Sequence, residues 1–266
     1  MNRPWRSAAD SPETTLEPRS LVVESALVLG VSLGASAVWS ALSLVRKLTA
    51  EQSLSAQTTA MNTTVTPDRP WLDLAYQLTG ITLALVPVLL ALHLLGRDVG
   101  SAAKAAGYVG FDLRAVRFDA LRGAALAAVI GIPGLGLYVA ARAAGLNTTI
   151  STANLAEVWW AVPILVCAAV QNAVLEEVVM VGYLFTRWAQ AGWSIAAVVI
   201  TSALIRGSYH LYQGFGGFVG NVAMGLILGV VYARTRRVMP LVIAHALLDV
   251  VAFVGYQMLA ARLDWL

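Results

Sequence analysis

Residues Gln171 to Trp188 read QNAVLEEVVMVGYLFTRW, and they lie inside the longest apolar run of the chain, Val158 to Trp188. Two adjacent carboxylates, Glu176 and Glu177, sit in this stretch with lipid-compatible sequence on both sides. An acid at bilayer depth costs about 2.5–3.5 kcal/mol even on lenient insertion scales, so such a pair is a candidate functional site by default. The rest of the chain reads as a scaffold that brings partners to it.

Composition agrees with a membrane location for that run. The 266 residues are 58% hydrophobic and only 12% charged, with mean hydropathy +0.72. Soluble domains carry about 25% charged residues, so a water-soluble core is excluded as the destination of this apolar surface. The net charge of +3 comes almost wholly from arginines between apolar runs. These report topology rather than nucleic-acid binding, and no basic patch with interleaved aromatics accompanies them. The single cysteine, Cys167, excludes an intrachain disulfide and reads as a small buried side chain.

Working outward, residues 1–19 are polar and proline-bearing and read as a disordered cytoplasmic tail. Residues 20–266 form one integral membrane domain. Its expected spans are Leu21–Val45, Leu72–Leu95 with a kink at Pro87, Phe118–Ala141 with a bend or fray between Gly131 and Gly136, the acidic run, Trp193–Tyr212, Phe215–Tyr232 and Met239–Leu259. The class is all-α: a polytopic bundle of seven transmembrane helices, or eight if the long run splits, around an internal polar cavity. Arg46–Pro70 and Arg142–Glu157 are polar loops. The basic connectors Arg97–Arg117 and Arg234, Arg236, Arg237 place their side, with the N-terminus, in the cytoplasm of a multi-pass cell-membrane protein. Glu24 reads as an interfacial acid reaching water, and the Asn-Thr-Thr sequences at Asn62 and Asn147 as chance matches.

The later spans carry further polar residues: Arg206 and His210, Asn221, and His245 with Asp249. Arg206 and His210 are four apart, as are His245 and Asp249, so each pair projects from one helical face. Glu177 is rotated by about 100° from Glu176 and is expected to face elsewhere. Imidazoles, carboxylates and a guanidinium on three helices would be costly toward lipid, so they should converge in a polar cavity. At 1.5 Å per residue, however, His210 comes out deeper than His245, which demands shifted span ends or a re-entrant segment near Gly207 and Gly214–Gly217.

Glu176-Glu177, His210 and the His245/Asp249 pair, in that order on successive apolar helices, resemble the CAAX protease and bacteriocin-processing (CPBP) family of intramembrane proteases. The resemblance covers about 158–256. It departs from the family motifs at Val181, where EExxxR has arginine, and at Arg206, where FxxxH has phenylalanine. It implies a CPBP-type endopeptidase, glutamate- or metal-dependent, in which Glu176 and His210 activate water while His245 and Asp249 steady the oxyanion or orient the water. An ionised Asp249 accepts but does not donate hydrogen bonds, which keeps open a zinc site at Glu176, His210 and His245, with Asp249 as an alternative carboxylate. Arg206 is expected to replace the missing arginine by pairing with Glu177, leaving Glu176 free.

The substrate class is then a membrane-delivered peptide or protein; the Arg-rich, Lys-poor chain looks bacterial, so prenylated substrates are not assumed. A non-catalytic scaffold, immunity or regulatory protein of the same fold competes with the protease reading, and a small transporter or proton relay ranks last.

Overall fold

The computed structural model describes residues 11–259. Its elements, in order, are α1 (Pro18–Gly30), α2 (Leu33–Leu48), β1 (Thr58–Ala60), α3 (Pro70–Ala84), α4 (Val86–Val99), α5 (Ala102–Tyr108), α6 (Val116–Ala143), β2 (Thr149–Ser151) and α7 (Ala161–Glu176). A π-helical turn, Glu177–Tyr183, joins α7 to α8 (Leu184–Gln190), and α9 (Ile195–Ser208), α10 (Phe215–Thr235) and α11 (Met239–Leu259) complete the chain.

The result is an all-α polytopic bundle. Among the described residues five helical spans are long and apolar enough to cross a membrane, α3–α4 and α7–α8 each counting as one, and six if the bent pair α1–α2 counts as another. The apolar helix α9 is shorter than these, so the expected count of seven or eight is reached or missed on local features. Leu21–Val45 is not one straight span but two helices meeting at 57° across Val31 and Ser32. The fifth expected span is α9, whose 14 residues end at Ser208 rather than near Tyr212. The expected kink at Pro87 appears as the α3/α4 boundary at Leu85, with Pro87 in the first turn of α4, whereas α6 runs through Pro133 as one 28-residue helix without fraying. The long acidic run does not split; its π turn keeps it continuous from Ala161 to Gln190.

Helix ends follow the sequence. Pro18 and Pro70 open α1 and α3, where a missing N–H costs nothing. Ser101 and Ser194 cap α5 and α9 by accepting the backbone N–H of Lys104 and Ala197. Gly100, at φ 94°, closes α4 in the left-handed region that favours glycine.

Apolar side chains face outward along the spans, as lipid allows: Leu121 and Ile132 on α6 are each 75% exposed. Cys167 is also exposed, on the outer side of α7, not buried as its size suggested. The interior centres on the π turn and α8, where Val178, Val179, Met180, Val181, Leu184 and Phe185 are all buried. Helix α10 packs closely on α9 through glycines. A Cβ on Gly225 would lie 2.9 Å from the Ala203 Cα, and one on Gly207 would lie 2.5 Å from Val222.

The polar connectors make a strap at one end of the bundle. Strands β1 and β2 pair in parallel, Thr58 opposite Thr149, and so join the Arg46–Pro70 loop to the Arg142–Glu157 loop. The two asparagines first read as chance glycosylation matches are structural here. The Asn147 side-chain oxygen, buried, accepts the Gly217 N–H, and Asn62 donates to the Thr152 carbonyl. Of the N-terminal tail, residues 1–10 lie outside the described residues, and Pro12 already accepts a hydrogen bond from Gln190.

Candidate active site

Glu176 is the last residue of α7 and Glu177 the first of the π turn. Such turns insert extra backbone into a helix and recur at functional sites. Across from them, α9 presents Arg206, one of the largest fully buried side chains of the protein, 1% exposed. Its fork reaches both acids: Nη1 donates to Glu176 Oε2 at 3.2 Å and Nη2 to Glu177 Oε1 at 2.7 Å. Arg206 therefore pairs with Glu177 as anticipated, but it holds Glu176 as well. The expectation that Glu177 faces elsewhere is corrected for the same reason, since a two-pronged guanidinium lying between neighbouring carboxylates gathers both despite their different headings.

Helix α11 supplies His245, whose Nδ1 is 2.8 Å from Glu177 Oε1, while Nε2 is 3.7 Å from Asp249 Oδ2 one turn on. Asn172 of α7 lies beside Asp249. The Tyr209 hydroxyl donates to Glu176 Oε2 at 2.7 Å. Two carboxylate oxygens are left over. Glu177 Oε2 is buried and accepts no hydrogen bond among the described residues, and Glu176 Oε1 accepts none either, while Glu176 as a whole is 8% exposed.

His210 is not on a helix. It follows the end of α9 in a turn, so the expected shared helical face with Arg206 is replaced by a contact of its Nδ1 with the Arg206 carbonyl at 3.0 Å. Its ring lies against Tyr209 and Tyr212, within electrostatic reach of Glu176 and His245. The strap holds this turn in place. The Tyr212 N–H donates to Ser40 Oγ at 2.7 Å, and the Tyr212 carbonyl accepts from Lys47 Nζ at 2.5 Å and from Thr59. The Thr148 N–H donates to the Gln213 carbonyl at 3.0 Å. Gly214, at φ 116°, comes so near the Leu146 carbonyl that a Cβ there would sit 2.5 Å from the oxygen.

Glu176, Glu177 and His245 present donor atoms within 4.8 Å of one another and could hold a divalent metal such as zinc. Glu177 stands in that group where His210 was expected. The fit is partial, because the Arg206 guanidinium already takes one oxygen of each acid, and a second positive charge on the same carboxylate pair is repelled by it.

Two features escape residue-by-residue reading: Tyr209 and a second buried charged group. Arg187 of α8 is fully buried, with Nε 2.8 Å from Glu24 of α1, Nη1 ion-paired to Asp98 of α4 and Nη2 donating to the Leu94 carbonyl at 2.6 Å. Tyr183 donates to Glu24 at 3.0 Å, and Arg97 also pairs with it. The signal was available: Glu24 and Arg187 are charges inside apolar runs, subject to the same cost that singled out Glu176. Val181, at the missing arginine's position, is 2% exposed in the apolar core.

No curated protein and no solved structure matches this chain. Residues 158–251 match the family described as type II CAAX prenyl endopeptidase Rce1-like, a region that includes Glu176, Glu177, Arg206, His210, His245 and Asp249. The matched segment falls within the stretch, about 158–256, that carries the resemblance to the CPBP family.

Proposed function

We propose that the protein is an intramembrane endopeptidase of CPBP type, in the cell membrane with its N-terminus in the cytoplasm, acting on a membrane-delivered peptide or protein. The observation that carries this reading is the meeting of Glu176, Glu177, Arg206 and His245, from three separate helices, inside apolar spans. Glu177 is fixed by Arg206 and His245, a positioning role. Glu176 is held at Oε2 by Tyr209 and Arg206 and keeps Oε1 for a water proton.

With His210, Glu176 takes that proton as the water oxygen attacks the scissile carbonyl carbon. The C–N bond then breaks as the proton passes to the leaving amine, giving a carboxylate and an amine. His245, oriented by Glu177 and Asp249, steadies the tetrahedral oxygen. A divalent ion at Glu176, Glu177 and His245 would supply Lewis acidity there. The placement of Arg206 on both acids favours the glutamate route.

The test is the protein in liposomes with a library of prenylated and unprenylated peptides, read by mass spectrometry. Cleavage by the wild type that is lost in Glu176→Gln, with the fold retained, supports the reading. Cleavage that survives the substitution contradicts it, and absence of any cleavage favours a scaffold of the same fold. Sensitivity to a chelator assigns the metal route, and resistance assigns the glutamate route.

A further inference from the structure

Away from these acids, α6 and α10 leave a groove of about 860 Å³ between them. Its wall is apolar, lined by Ala125, Leu126, Val129 and Val231, and its one polar end holds Arg122, Arg234 and Arg237. The three arginines are not equivalent. Arg237 Nη2 is tied to Asp119 at 2.6 Å and to Asp112 at 3.0 Å, which pins the end of α10 to the start of α6. Arg122 and Arg234 are exposed and form no ion pair among the described residues. Arg122 instead lies over the Phe118 ring, 3.6 Å from its centroid, which fixes the guanidinium at the groove mouth.

We infer that this groove binds an anionic phospholipid, its headgroup phosphate between Arg122 and Arg234 and an acyl chain along Leu126, Val129 and Val231. The chemistry is matched at both ends. Guanidiniums without carboxylate partners favour phosphate oxygens, and basic pockets between transmembrane helices recognise acidic headgroups. From Arg122 to Val129 the wall runs about 10 Å along α6, a length an acyl chain covers. A free phosphate would use only the mouth and leave the apolar wall unmatched. The site shares no residue with the proposed hydrolytic centre, so its occupancy is separable from catalysis.

The test is native mass spectrometry of the full-length protein in detergent with dioleoyl phosphatidylglycerol, dioleoyl phosphatidylcholine or inorganic phosphate. The wild type should retain phosphatidylglycerol in preference to phosphatidylcholine by roughly tenfold or more, the effect of two basic side chains at an anionic headgroup. The double variant Arg122→Gln/Arg234→Gln should lose that preference. Leu126→Trp, which fills the groove and spares the arginines, should lower retention of both lipids. Equal retention of the two lipids by the wild type, an unchanged preference in the double variant, or displacement by equimolar inorganic phosphate would each overturn the assignment.

Discussion

Two arginines are almost wholly removed from solvent, and they do different work. Arg187 is enclosed by Glu24, Asp98, Gln190 and the Leu94 carbonyl, with Arg97 balancing the second acid. Two cations meet two carboxylates there, and the acids come from helices α1 and α4 that Arg187 ties to α8. Arg206 also holds two carboxylates, but that group includes a third acid and two imidazoles, and it leaves Glu176 Oε1 and Glu177 Oε2 without donors among the described residues. Burial alone does not separate a clamp from a proposed reactive site; spare carboxylate oxygens beside imidazoles do.

Breaking the clamp should have the largest effect on stability. Arg187→Leu removes the cation shared by Glu24 and Asp98 and leaves Asp98 with no ion pair among the described residues; it should cost about 3–5 kcal/mol, seen as a lower unfolding temperature, while the remaining folded molecules keep their activity. At the other group, Gly225→Ala pushes a methyl to 2.9 Å from the Ala203 Cα and 3.2 Å from the Arg206 Cδ. It should cost about 1–3 kcal/mol by overpacking and, unlike the clamp variant, also slow turnover by displacing the guanidinium.

Tyr209→Phe deletes one donor to Glu176 and should cost about 0.5–1.5 kcal/mol. Its signature is a fall in kcat with KM little changed, because the Tyr209 hydroxyl bonds to the acid proposed to take the water proton. The smallest effect belongs to Asp112, outside the spans. Burial would raise its pKa, but the Arg114 backbone N–H and the Arg237 guanidinium outweigh it and hold the carboxyl below its usual value. Its stabilising contribution is therefore present above the unfolded carboxylate value and is lost as pH falls through the lower folded one. Asp112→Asn should cost about 0.2–1 kcal/mol at pH 7, and denaturation curves of the two proteins should converge in acid.

Much of this was legible before any coordinates. The cost of intramembrane charge picked out Glu176, Glu177, Arg206, His245 and Asp249, and the predicted Arg206–Glu177 pair is present at 2.7 Å. Three features were not legible, each because it depends on backbone geometry that hydropathy does not encode. A π turn starting at Glu177 and the reach of one guanidinium bring in an acid that ideal α-helical rotation sends away. The early end of α9 moves His210 into a turn, where strap contacts through Tyr212 and Thr148 position it. The 57° bend of the first span falls at Val31 and Ser32, beside Gly30, where the Ser32 hydroxyl donates to the Val28 carbonyl.

The clamp and the proposed reactive site differ most sharply in the role proposed for Glu176. In cells expressing either the wild type or Glu176→Gln at equal levels, N-terminal labelling of membrane-associated peptides reads new termini directly. New termini found with the wild type and absent from the variant are the predicted result. Identical sets of termini in both cells would contradict the account.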